Sequence, residues 1–314
     1  MIEAKKTVLF DRHAILADKA QIVPFAGWLM PLWYTSISDE HKAVRTAAGM
    51  FDCTHMAVLK IAGSGAVNFL NNLTTNDVSK LKPGKAQYSY ILDQTGNIID
   101  DVIVYCITDD NFMMVANAAN EQKVWDWIAK QQKTNVEVSD LKDPSLPDAR
   151  VDIALQGPAS AQCLQKIFNA DAAVLKPFSF VHTRNIHFDV IISATGYTGA
   201  KTGFELFVHP FRAGDLWDII LREGKSLNII PCGLGARDSL RIEAGLPLYG
   251  HELDGEFNIS PFQAGYSWAV KLQKYKFIGK EAAAEKINPD TEVARLKFDG
   301  GKGIRPIRQF DGIL

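Results

Sequence analysis

The sequence lacks closely spaced cysteines: Cys53, Cys106, Cys163 and Cys232 lie singly along 314 residues. That scatter excludes both a disulfide framework and a cysteine zinc site, and it fits a reducing compartment. Net charge is nearly absent too, since 34 basic residues face 36 acidic ones for a formal −2. No global field therefore draws the chain to nucleic acid or to an anionic membrane, and neither is expected as a partner. No apolar run is long enough to cross a bilayer, and Met1 to Lys6 lacks the apolar stretch of a secretory signal. The expectation is a cytoplasmic protein, in which the sequons at Asn72 and Asn258 carry no sugar. The seven histidines form no HExxH and no i, i+4 His pair, so no metal centre is expected, and His55 reads as a structural or loop residue. Gly63-Ser64-Gly65 lacks the third glycine of a dinucleotide fingerprint and reads more simply as a helix start. What the chain does have is 47% hydrophobic residues, enough for one large domain or two to three smaller ones.

Helical and hairpin patterns alternate without repeats or regularly spaced crossover units, which predicts an α+β fold with antiparallel sheets. Helices are predicted after Ser38 (DEHKAVRTAA, stopped by Gly49), after Ser64 (GAVNFLNNL), and from Gly157-Pro158 through Cys163, Leu164 and Ile167. Two more are predicted from Ala118 to about Lys130, with Val124, Trp125 and Ile128 inward, and from Pro210 to Glu223, with Gly224 as the stop. AQYSYILD and NIIDDVIVYCI flank Gln94-Thr95-Gly96 as a β-hairpin, and FMMVAN after Asp109-Asp110-Asn111 completes a three-strand meander. RNIHFDVIISAT and GFELFVHP form a second pair around GYTGAKT. INPD at 287–290 breaks the chain before VARLKF, a boundary into a further β unit.

Three segments hold candidate chemistry. Strand parity puts Ile99, Asp101, Ile103 and Tyr105 on one face and Ile98, Asp100, Val102 and Val104 on the other, one acid per otherwise apolar face. Either a carboxylate lies against a core and needs a partner, or the pair is wet at a bulge or strand end. GYTGAKTGFE, residues 196–205, combines glycines for close backbone approach, the flat ring of Tyr197 and Glu205 entering a strand; it is equally readable as a plain loop. CGLGARDSLRIEAG, residues 232–245, predicts a helix ended by Gly245, with Arg237 and Arg241 on one face. Arg237 either binds a carboxylate or carbonyl, or is a solvated or structurally paired neighbour of Asp238.

In order along the chain, VPFAGWLMPLWY, HKAVRTAAGMFDCTHM, LTTNDV, GNIIDDVIVY, GYTG, CGLGARDSLRIEAGLPLYGHEL, ISPFQAGYSWAV and FIGKE resemble the aminomethyltransferase family typified by the T-protein of the glycine cleavage system. The blocks run from Val23 to Glu281. The resemblance implies small α+β domains around a central folate cavity: an aminomethyltransferase region over 7–286 in two interleaved subdomains, then from 290–314 the start of a C-terminal β-barrel domain, incomplete within this sequence. It implies Asp101 as the catalytic acid. Met56, Tyr88, Asn117, Tyr197, Glu205 and Arg237 correspond to folate-contacting positions. The implied reaction moves a methylene carbon from the aminomethyl group of a lipoylated carrier protein, the H-protein, to tetrahydrofolate with release of ammonia. No metal is required, because the carbon arrives at the methylene oxidation level.

One departure stands out. The family's GYTGEDGFE is GYTGAKTGFE here, so Ala200, Lys201 and Thr202 replace acids and one residue is added before Glu205. That changes the loop's charge and bears on donor or partner choice. A sibling of the same fold that demethylates another small donor is the main enzymatic alternative. A non-catalytic folate-binding paralogue of the iron-sulfur maintenance kind carries a KGCYxGQE-like motif, where this chain has KFIGKEA (276–282) without cysteine.

Overall fold

The computed structural model describes residues 4–16, 20–131, 134–168, 172–253 and 259–296. Near the start, β1 (Lys5–Lys6) precedes a short helix, α1 (Phe10–Ile15), and β2 (Gln21–Phe25) and β3 (Trp28–Trp33) complete a small sheet ordered β1-β3-β2. Helix α2 (Ile37–Thr46) begins at Ser36, not Ser38, because the Ser36 hydroxyl accepts the Asp39 N–H. Gly49 does not stop it. The chain passes through Ala47 straight into β4 (Ala48–Asp52), where a Cβ on Gly49 would lie 2.5 Å from a Val44 methyl carbon.

From β4 the chain departs on a long excursion. It forms β5 (Ala57–Ala62), α3 (Ala66–Leu73), β6 (Lys85–Leu92), β7 (Ile98–Thr108), β8 (Asn111–Ala116), α4 (Glu121–Gln131) and β9 (Glu137–Asp140). These strands make a five-stranded antiparallel sheet ordered β6-β7-β8-β5-β9, with the expected meander β6-β7-β8 along one side. Helix α3 starts after Gly65 and has no side-chain cap, so Ser64 does not play that part. The chain then returns beside β4 with β10 (Val151–Gln156), α5 (Ser160–Phe168), β11 (Phe180–Arg184), β12 (Asp189–Ser193), β13 (Gly203–Val208), α6 (Pro210–Gly224) and β14 (Ile229–Pro231). The resulting six-stranded sheet is ordered β11-β12-β13-β10-β4-β14, with only β14 parallel to its neighbour. RNIHFDVIISAT is thus not one strand: it turns at Asn185, which accepts the His187 and Phe188 N–H groups. Helix α6 ends at Gly224, as the sequence predicts, but Gly224 keeps a right-handed φ of −79°. A 3-10 turn follows, and Asn228 at φ 56° supplies the left-handed stop.

Alternation along each strand sorts the core into layers. Val151, Ile153, Leu155, Leu206 and Val208 pack under α5 and α6 with Leu216, Trp217 and Ile220. Val102, Val104 and Met114 pack under α3 and α4 with Leu70, Leu73, Val124 and Ile128. The remaining faces of the two large sheets meet each other, with Ile191 and Phe207 against Val58, Tyr105 and Met113. At about 1.5–3 kcal/mol for each large side chain fully buried, these layers rather than single hydrogen bonds hold the sheets in place. Helix α7 (Leu234–Ala244) lies over β4 and β10 through Ala236 and Leu240 and ends at Gly245, φ 66°, as the sequence predicts. A final short helix, α8 (Lys280–Ala284), follows a segment in which Ala269, Val270 and Phe277 cover Tyr90, Leu92 and Ile98.

The architecture is therefore α+β. No described sheet closes into a barrel. The first residues of the expected C-terminal β unit, 291–296, carry no strand, and 297–314 lie outside the described residues.

Candidate active site at the junction of the two large sheets

The acid pair sits at a β-bulge. Ile91 pairs with Asp100 and Leu92 with Ile98, which leaves Ile99 unpaired on β7. Beyond the bulge the parity is as expected, and Ile103 and Tyr105 pack toward the six-stranded sheet. Before it the parity inverts: Ile99 joins the core of Val102 and Val104, and Ile98 joins Tyr90 and Leu92. Although successive residues alternate faces, both carboxyls reach the one side-chain amide of Asn117.

Asp100 is fully buried. It accepts the backbone N–H of Asn117 at 2.9 Å, the Asn117 Nδ2 at 2.8 Å and the Asn120 Nδ2 at 2.7 Å. Asp101 is partly exposed and accepts Tyr88 Oη at 3.0 Å and the same Asn117 Nδ2 at 2.8 Å. Burial raises the pKa of both carboxyls, and for Asp100 the adjacent charge of Asp101 adds to it. For Asp101, the Tyr88 and Asn117 donors offset part of that rise. A wet strand-end pair is ruled out.

Around Asp101 stands an aromatic wall. Tyr88 lies 5.2 Å from Tyr90, 5.6 Å from Tyr266 and 5.8 Å from Trp268, centroid to centroid. Burial, with the charge of Asp101 next, pushes the Tyr88 and Tyr197 hydroxyls up, so Tyr197 lies within the field of the acid.

The loop 196–205 is held by Gln156, whose amide donates to Thr195 O and Phe204 O and accepts Thr198 Oγ1. A Cβ on Gly203 would lie 2.5 Å from Gln156 Oε1, so glycine is needed there for close approach. The loop delivers Glu205 to β13, where Oε2 accepts Tyr105 Oη at 3.1 Å and Thr195 Oγ1. It also sets the Tyr197 ring 5.2 Å from the Arg237 guanidinium, with the Tyr197 hydroxyl donating to Pro247 O. Lys201 of the altered loop is exposed, and Thr202 O accepts the Gly157 N–H.

Arg237 does not pair with Asp238. Arg241 takes that partner at 2.8 Å and Glu252 at 2.6 Å, so the two arginines of one helix face divide their roles. Among the described residues, Arg237 Nη1 is buried with no hydrogen-bond partner. Met56 is partly buried and packs against both the intersheet cluster and the one beneath α7. Thus Asp101, Tyr88 and Asn117 form one hydrogen-bonded group, Tyr197 and Arg237 stack as another, and Glu205 sits in a third with Tyr105 and Thr195; Met56 has no polar link to them.

Several contributors escape the sequence reading. Asn120 is three residues past Asn117, Tyr105 shares the Asp101 face, and Asp152 is the lone acid in the apolar run VDIAL. Those placements were visible, but pairing across strands was not. Tyr266 and Trp268 come from a segment with little regular structure, so no periodicity points to them.

Residues 9–274 match the family model described as the GCVT N-terminal domain. The chain is 43% identical over 281 residues to the aminomethyltransferase of Desulforamulus reducens, covering 90% of this chain and 74% of that one. It is 44% identical over 280 residues to that of Geobacillus thermodenitrificans, covering 88% and 73%. The crystal structure of the glycine cleavage system aminomethyltransferase T from Bartonella henselae superposes with a TM-score of 0.80 at 34% identity, over 90% of this chain and 74% of that one. Fold and site together define a transferase of one-carbon groups. The chain belongs to the aminomethyltransferase family of the glycine cleavage system.

Proposed function

We propose that this protein transfers the methylene carbon of an aminomethyl group, carried on the lipoyl arm of the H-protein, to tetrahydrofolate. The reading rests on Asp101: a partly exposed carboxyl, held by Tyr88 and Asn117, with its pKa raised by burial. In the balanced reaction the donor's C–S and C–N bonds break and two N–C bonds form at N5 and N10 of the folate. The two protons leaving N5 and N10 go to the thiolate of the arm and to the departing ammonia. A carboxyl that exchanges protons closer to neutrality than an ordinary aspartate suits that relay, and its charge stabilises an iminium-like methylene.

The remaining residues suit a pterin. Glu205 is an acceptor for an amide-amidine edge, Tyr88 and Tyr197 are flat walls, and the unpartnered Arg237 Nη1 is a donor for a carbonyl or carboxylate. Asn117 holds Asp101 in register, and Met56 supplies apolar packing beside the site.

Ammonia and methylenetetrahydrofolate should both form when the protein is mixed with tetrahydrofolate and aminomethyl-loaded carrier. Methyltetrahydrofolate from dimethylated amines or sulfonium donors, with no response to the carrier, would instead establish the demethylase reading.

A further inference from the structure

Asp152 is a buried acid that the reading above leaves without a part. On β10 it faces Phe207, and Ala154 two residues on faces Glu205, so Asp152 and Glu205 are diagonal neighbours on one sheet face, about 7–8 Å apart. Cys53 at the end of β4 donates its N–H to the Asp152 carbonyl, which sets the end of β4 alongside. Asp152 is 2% exposed, and its Oδ1 has no hydrogen-bond partner among the described residues. The unpartnered Nη1 of Arg237 belongs to the same cluster, since burial opposes that guanidinium's charge while Cys53, Glu205 and Asp152 sustain it.

Two carboxyls therefore share one buried cation, and in a low-dielectric interior such a pair retains a proton. Neighbouring groups do not supply a second positive charge. Burial pushes the His55 imidazole down to about 4, leaving it neutral, and pushes the Cys53 thiol up. Asp52 is engaged by His13 at 2.8 Å and by Thr7 at 2.8 Å. Tyr105 and Thr195 direct hydroxyls at Glu205. The Asp152 carboxyl has the Leu206 N–H and the Arg237 field in its favour, and burial with the Glu205 charge outweighs them.

We propose that Asp152 is a proton-holding positioning residue of this site, which when neutral leaves Arg237 to Glu205 and the ligand, and when ionised draws Arg237 to itself and weakens ligand binding. The proposal rests on the folate reading for its ligand. The residue touches no reacting atom, and its effect is on affinity and its pH dependence.

Binding of 5-formyltetrahydrofolate to the whole protein, followed by calorimetry from pH 6 to 9, tests this together with carbon NMR of aspartate side-chain carboxyls. For the unmodified chain the expected result is a Kd that rises with pH on an alkaline limb, at a limiting slope of about tenfold per pH unit for one linked proton. Asp152→Asn should remove that limb with Kd near its wild-type neutral value and with Tm preserved. Beside the proton held by the Asp100–Asp101 pair, the spectrum should show a further protonated aspartate at pH 7 that vanishes in the variant, with Asp152→Ser serving if Asn does not fold. An alkaline limb that persists in the variant, no limb in the unmodified chain, or an ionised Asp152 at pH 7 overturns the proposal. Absence of folate binding at every pH sinks the folate reading and the ligand half of this proposal, while the spectrum still decides whether Asp152 holds the proton.

Discussion

A single side-chain amide, Asn117 Nδ2, lies 2.8 Å from Asp100 Oδ1 and 2.8 Å from Asp101 Oδ1, so two acids on successive residues are bridged by one donor group. The bridge gives the acids unequal tasks. Asp100 is closed in by three donors, whereas Asp101 keeps an exposed side.

Asp101→Asn should keep fold and ligand binding and lower turnover by about 10²–10⁴-fold, the range for loss of a general acid or base. Asp100→Asn turns an amide toward the Asn117 and Asn120 donors, so its main effect should be a stability loss of about 1–3 kcal/mol with a smaller loss in turnover. Thermal melts and steady-state rates on both variants separate the two. Because burial holds both acids above the ordinary aspartate range, the folded state binds more protons than the unfolded one. Their contribution to stability therefore declines as pH rises from about 4 through the raised values, and Asp100→Asn should flatten that slope.

Tyr88→Phe removes a donor that favours the charged form of Asp101. Its pKa should rise further, moving the acidic limb of the kcat/KM profile toward higher pH. A limb left in place would mean that another group controls it.

The helices, the meander and the acid pair were legible because apolar spacing reports which side of an element is buried. Tyr88, Asn117 and Asp101 meet in one hydrogen-bonded group. The bulge at Ile99 was not legible: its cause is a mismatch with β6, and one strand's alternation cannot reveal a neighbour's register. Ser38 and Ser64 look as cap-like as Ser36, and only backbone geometry distinguishes them. Asp152 lies in an apolar run that the sequence reading passed over, and its meaning depends on Glu205 and Arg237, which arrive from β13 and α7.

Glu205→Gln should weaken binding of reduced folate by about ten- to a hundredfold, the equivalent of one charge-assisted hydrogen bond. Calorimetry at neutral pH measures this, and an unchanged Kd would remove Glu205 from the ligand site.

Gly203→Ala places a methyl group against a Gln156 side chain that is already committed to Thr195 O and Phe204 O. The expected cost is about 1–3 kcal/mol by overpacking, read from denaturant melts. Ligand affinity should fall with it, because this loop carries both Tyr197 and Glu205.

Lys201→Glu restores an acid to the exposed loop without touching the interior contacts. The Kd for folate should stay constant while the KM for the loaded carrier changes, since an exposed charge acts chiefly on encounter with a charged partner. Steady-state kinetics at two salt concentrations would show whether any change is electrostatic.

The excursion of the chain between β4 and β10 also governs how the protein emerges from a ribosome. Asp52 waits for Ile153, about a hundred residues later, before its strand acquires an antiparallel neighbour, and Ala48 waits for Ile229 on its other side. Throughout that interval β4 is an unpaired apolar edge, the kind of segment that chaperones shield from aggregation. Arg237 follows later still. A nascent chain halted before α7 has both large sheets available but lacks the guanidinium that Glu205 and Asp152 share, so affinity for the ligand should appear only once α7 has emerged and not grow with chain length before that point.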